Sequence, residues 1–81
     1  MQARKQRARA HVWTRGDDLQ LLRMMAAKKV YGEICATMGL NYNQVVGRKY
    51  TLRLEAQCFP AKKAYLEALL EMVPNARRYF E

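Results

Sequence analysis

Several things are scarce in this chain, and each scarcity excludes something. There are two cysteines, Cys35 and Cys58, and one histidine, His11. No C-x-x-C pair and no pair of His ligands can be assembled from them, which argues against a zinc site. Cys35 falls in an apolar periodic segment and reads as a small buried hydrophobe. A disulfide to Cys58 stays open on the sequence alone. Acids are also few: 7 Asp and Glu against 15 Lys and Arg. No Ser/His/Asp or Cys/His set is readable, and no phosphate-cradling glycine loop occurs. Asp17 and Asp18 read as helix-start charges rather than an acid–base pair. The reading is therefore no enzyme and no cofactor. No apolar run approaches the ~18 residues of a membrane span, and the N-terminus has no apolar signal core. No membrane partner is expected.

What is present is positive charge and helical periodicity. The net charge of +8 on 81 residues favours an anionic partner. The length allows one domain with a thin core. Residues 1–11, MQARKQRARAH, carry Arg4, Lys5, Arg7 and Arg9 with no acid, and read as a basic disordered arm.

A helical domain is expected over 12–55. Thr14 is a good N-cap, with Asp17 and Asp18 at the positive helix start. Leu19, Leu22, Met25 and Ala26 repeat at helical spacing, giving a first helix over about 17–28. Tyr31, Ile34, Cys35 and Met38 give a second, closed by Gly39. Asn41 or Asn43 can cap a third, over about 42–54. Pro60 starts a fourth, over about 61–73, ended by Pro74; the tail ARRYFE suits one more turn. The fold class is all-α: three helices in a helix-turn-helix core with an additional amphipathic C-terminal helix.

The third helix divides its faces. At about 100° per residue, Tyr42, Val45, Val46, Tyr50 and Leu52 share an apolar arc, expected to be core. Asn43, Gln44, Gly47, Arg48 and Thr51 fall on the opposite arc. Asn43 and Gln44 suit adenine, Arg48 suits guanine, and Gly47 lets the backbone approach DNA closely. Lys49 and Arg53, with Arg4, Lys5, Arg7 and Arg9, suit phosphates. The alternative is a solvated face on an ordinary bundle helix.

Trp13-Thr14, Leu21-Leu22, the run from Ile34 to Met38-Gly39, and Val45-Val46-Gly47-Arg48 with Leu52 together resemble a known family. It is the Myb/SANT-like tri-helical fold, in particular its GcrA-type bacterial cell-cycle regulators and related small phage proteins. The likeness covers about residues 13–54. It implies double-stranded DNA binding through the third helix, Trp13 in the core, and Asn43, Gln44, Gly47 and Arg48 in the groove.

The functional expectation is a double-stranded DNA-binding transcriptional regulator in a bacterial or phage-infected cytoplasm, associated with the nucleoid. Two alternatives stand beside it. One is a small protein-interaction module or phage-encoded inhibitor that grips an acidic partner such as a polymerase subunit or host factor. The other is a phage DNA-packaging protein. The region 56–81 holds more apolar residues than a three-helix module covers. Tyr65, Leu66, Leu69 and Val73 are thus candidates for a homodimer seam, with packing inside the chain as the alternative.

Overall fold

The computed structural model describes residues 11–81. The expected phosphate contacts Arg4, Lys5, Arg7 and Arg9 lie outside them. The described residues are all-α. Helix α1 (Arg15–Ala26), α2 (Tyr31–Met38), α3 (Tyr42–Cys58) and α4 (Pro60–Met72) precede a 3-10 turn, Pro74–Tyr79. No helix among them is long and apolar enough to cross a membrane.

The ends of each helix have identifiable causes. Thr14 caps α1 in a capping box: its hydroxyl accepts from the Asp17 N–H, and the Asp17 carboxylate accepts from the Thr14 N–H. Those bonds, and His11 beside it, hold the Asp17 carboxyl below its ordinary pKa. The C-terminus of α1 closes through Lys28 N–H to Met25 C=O at 2.9 Å and Lys29 N–H to Met24 C=O at 3.0 Å. This pattern needs a left-handed residue, and Lys28 supplies it at φ 63 without being glycine. Helix α2 ends on Gly39, left-handed at φ 70, as the sequence implies. Asn41, not Asn43, caps α3, in a second box closed by Gln44.

Helix α3 runs four residues past its expected end at Leu54. Glu55, Ala56 and Gln57 are good helix formers, so nothing stops the helix before the proline. Phe59, forced extended ahead of Pro60 (φ −129, ψ 123), is the whole connection between α3 and α4. The two helices fold back on each other: Lys62 reaches Glu55 at 3.8 Å, and Tyr65 shares the Asp18 carboxylate with Arg48.

The core has two lobes. One joins Leu19 and Leu22 of α1, Leu52 of α3, Leu66, Leu69 and Leu70 of α4, and then Val73 and Ala76. The other joins Leu21 and Met25 of α1, Ile34 of α2 and Val45 of α3, with Trp13 and half-buried Cys35 against it. Phe80, near the C-terminus, packs on both lobes.

This arrangement uses the candidate seam residues inside the chain. Leu66, Leu69 and Val73 are buried inside the chain, and Tyr65 is half-buried against the same lobe. The surplus apolar surface of α4 is spent on α1 and α3. Helix α4 and the tail thus share one core with residues 12–55. Both cysteines are free thiols, Cys58 exposed.

Candidate nucleic-acid interface

The orientation of α3 is decided by a carboxylate. Asp18 lies on the core stripe of α1, one turn before Leu21 and Leu22, and is 0% exposed. A carboxylate taken out of water must be paired and hydrogen-bonded. Arg48 supplies the pair in the forked geometry that guanidinium favours: Nε donates to Oδ1 and Nη2 to Oδ2, each at 2.8 Å. The Tyr65 hydroxyl donates to Oδ2 as well. Arg48 also lies over the Trp13 ring, 5.7 Å from its centroid. The Asp18 hydrogen bond pushes the guanidinium pKa up, and partial burial opposes it.

The cluster extends one sequence expectation and corrects another. Asp18 stands in the first turn of α1, as expected of a helix-start charge, and is also an internal anchor joining α1, α3 and α4. Arg48 is not an outward base reader, because its fork is bonded inside the chain. Gln44 is also drawn away: its Oε1 accepts from the Asn41 N–H at 3.0 Å, which closes the cap. Thr51 is half-buried.

With Arg48 turned inward, α3 sits about a quarter turn from the orientation its apolar pattern implies. Val45 and Leu52 are buried as expected, and Val46 is half-buried. Tyr42 and Tyr50, expected in the core, are 60% and 62% exposed. Tyr42 meets the edge of Tyr31, with ring centroids 5.7 Å apart. The outward face is therefore Asn43, Gly47, Tyr50 and Leu54, at i, i+4, i+7 and i+11, with Tyr42 and Val46 beside them. Arg53 is exposed on its flank and Lys49 half-exposed. Neither has an ion-pair partner among the described residues. The one acid of α3, Glu55, lies on the inward side and pairs with Lys62.

Gly47 is the least economical residue of this face. A glycine inside a helix costs about 1 kcal/mol against alanine. A Cβ at this position would meet nothing within 4 Å. The fold thus gains nothing from its smallness, whereas a partner approaching the α3 backbone would.

The Tyr65 hydroxyl is the titrating member of the cluster. Burial first, then its bond to Asp18, pushes its pKa up to about 12 from an ordinary 10.0. A group whose pKa is raised on folding stabilises fully below its unfolded pKa and loses that contribution as pH rises through the folded one. Stability should therefore fall between about pH 10 and 12. Tyr65→Phe should flatten that segment of a urea-denaturation pH series. An unchanged alkaline slope would contradict the cluster's role.

Comparison with known proteins adds no relative: no family model, no curated protein and no solved structure matches the chain.

Proposed function

We propose that the protein binds double-stranded DNA by laying the outward face of α3 in the major groove, with basic residues on the flanking phosphates. The observation that carries this reading is the face itself. It combines an exposed amide at Asn43, an unneeded glycine at Gly47, exposed Tyr50, and Lys49 and Arg53 without ion-pair partners among the described residues. A groove about 12 Å wide admits one helix, and α3, at 17 residues, exceeds the groove's width in length. The net charge of +8 supplies the long-range attraction. The likeness to Myb/SANT-like and GcrA-type regulators points the same way and makes transcriptional regulation the expected role.

Base contacts in this reading pass from Arg48 and Gln44 to Asn43 and Tyr50. Lys49, Arg53 and the arm cations Arg4, Lys5, Arg7 and Arg9 take phosphates. Six such contacts should lower affinity for a random duplex by about a thousandfold between 50 and 200 mM salt. Fluorescence anisotropy at those two concentrations measures this. Absence of binding at the lower one would transfer the reading to a protein partner. One observation favours that second reading: Tyr42, Tyr50, Leu54 and Phe59 are large, apolar and exposed. An acidic partner presenting an apolar groove would meet the same face.

A further inference from the structure

We propose that the α3 face reads A·T base pairs, and that it does so largely through the thymine C5-methyl group. The inference rests on the DNA-binding reading above and narrows it to a class of sequence. Guanine is read in the major groove by forked or terminal cations on O6 and N7, adenine by Asn or Gln on N6 and N7, and the thymine methyl by apolar contact. The face would have carried a guanine reader at its centre if Arg48 pointed outward. Its fork is instead bonded to Asp18 at 2.8 Å on both sides. The centre of the face holds Asn43, Gly47 and Tyr50, with Val46 beside them, and Arg53 lies only on the flank.

The parts fit one base-pair type. Asn43 lies in the first turn of α3, where helix residues reach base edges in helix-turn-helix docking. Its amide pairs with adenine as donor and acceptor together. Gly47, one turn on, leaves no side chain between the helix backbone and the groove floor. Tyr50, one further turn on, presents a ring that is largely exposed. That ring and the Val46 methyls offer the apolar surface a thymine methyl requires. In cytosine-containing pairs the same surface would meet no methyl.

Alternating copolymers separate this from general DNA binding. The full chain is titrated with poly(dA-dT), poly(dA-dU) and poly(dG-dC) duplexes at one salt concentration. The dU polymer keeps every hydrogen-bonding group of the dT polymer and lacks only the methyl. The expected order is dA-dT tightest, with roughly tenfold weaker binding to dA-dU and to dG-dC. Tyr50→Ala should abolish the dT/dU difference. Asn43→Ala should weaken both A-containing polymers by the same factor and leave the dT/dU ratio intact. Both side chains are exposed, and circular dichroism checks that the variants fold. Equal binding of dA-dT and dA-dU, or a ratio that survives Tyr50→Ala, overturns the methyl reading while DNA binding stands. Binding to none of the three polymers overturns the DNA-binding reading and this one with it.

Discussion

Arg48→Ala should cost the fold about 3–5 kcal/mol, because it strands a carboxylate that no water reaches. Asp18 is fully buried, and its partners are the Arg48 fork and the Tyr65 hydroxyl. Removing Arg48 takes away the only opposite charge in contact with it among the described residues. One tyrosine hydrogen bond does not neutralise an ion. The loss is a large share of the 5–15 kcal/mol that stabilises a typical domain, so the variant should sit near its unfolding threshold at 25 °C. Replacing both partners with apolar residues, Asp18→Leu with Arg48→Met, should recover most of the loss, because a buried ion pair adds little over good packing. Urea denaturation of the two variants beside the parent measures this. A loss below about 1 kcal/mol for Arg48→Ala would mean that the guanidinium is not committed inward. It would then be free for the base-reading role that the helix pattern alone suggests.

Leu69→Ala should destabilise by about 2–5 kcal/mol and leave the oligomeric state unchanged. Leu69 is 0% exposed and lies in the lobe that joins α1, α3 and α4. Truncation there removes buried methyl groups and leaves a cavity that neighbours from three helices can fill only in part. Were Leu69 on a homodimer seam, the variant would keep monomer stability and lose association instead. Sedimentation at matched concentration, beside urea denaturation, separates the two outcomes. A stable variant with weakened self-association would restore the seam.

Much of the fold is legible in the sequence, because local rules set most of it. Thr14, Gly39 and Pro60 mark their helix ends by residue type alone. The boundaries of α2 are read correctly from Tyr31, Ile34, Cys35 and Met38 at helical spacing. The rotation of α3 is not legible in the same way. Its apolar residues are spread around the cylinder, and two tyrosines with polar tips satisfy either core or surface. What turns α3 is a long-range pair, Asp18 with Arg48, and no local pattern encodes it. A signal was nonetheless present. Asp18 stands at i, with Leu21, Leu22 and Met25 at i+3, i+4 and i+7, so it falls on the core stripe of its own helix. A carboxylate there demands a buried cation. Arg48 lies three residues after Val45 and four before Leu52, on the stripe those two define. Reading the two observations together would have turned Arg48 inward and Tyr50 outward.

The candidate site follows the same division. Asn43 and Gly47 are legible because exposed polar and bare positions need only the helix period. The exposure of Tyr50 is not legible, because an aromatic ring reads as core wherever surface charge is absent. The fate of α4 was open for a different reason. Its broad apolar stripe fits burial in one chain or across two, and only the fold-back at Phe59 decides between them.

The central claim is that α3 offers its outward face to duplex DNA, and bulk at Gly47 tests it most directly. Gly47→Leu places a good helix former at an exposed helix-interior position where a new Cβ meets nothing within 4 Å. The variant should be more stable than its parent, by up to about 1 kcal/mol. It should also bind a random duplex at least tenfold more weakly, because the added side chain holds the helix backbone off the groove. Thermal denaturation and fluorescence anisotropy on the same preparation give both numbers. Higher stability with weakened binding is the predicted result. Higher stability with unchanged duplex affinity would contradict the claim.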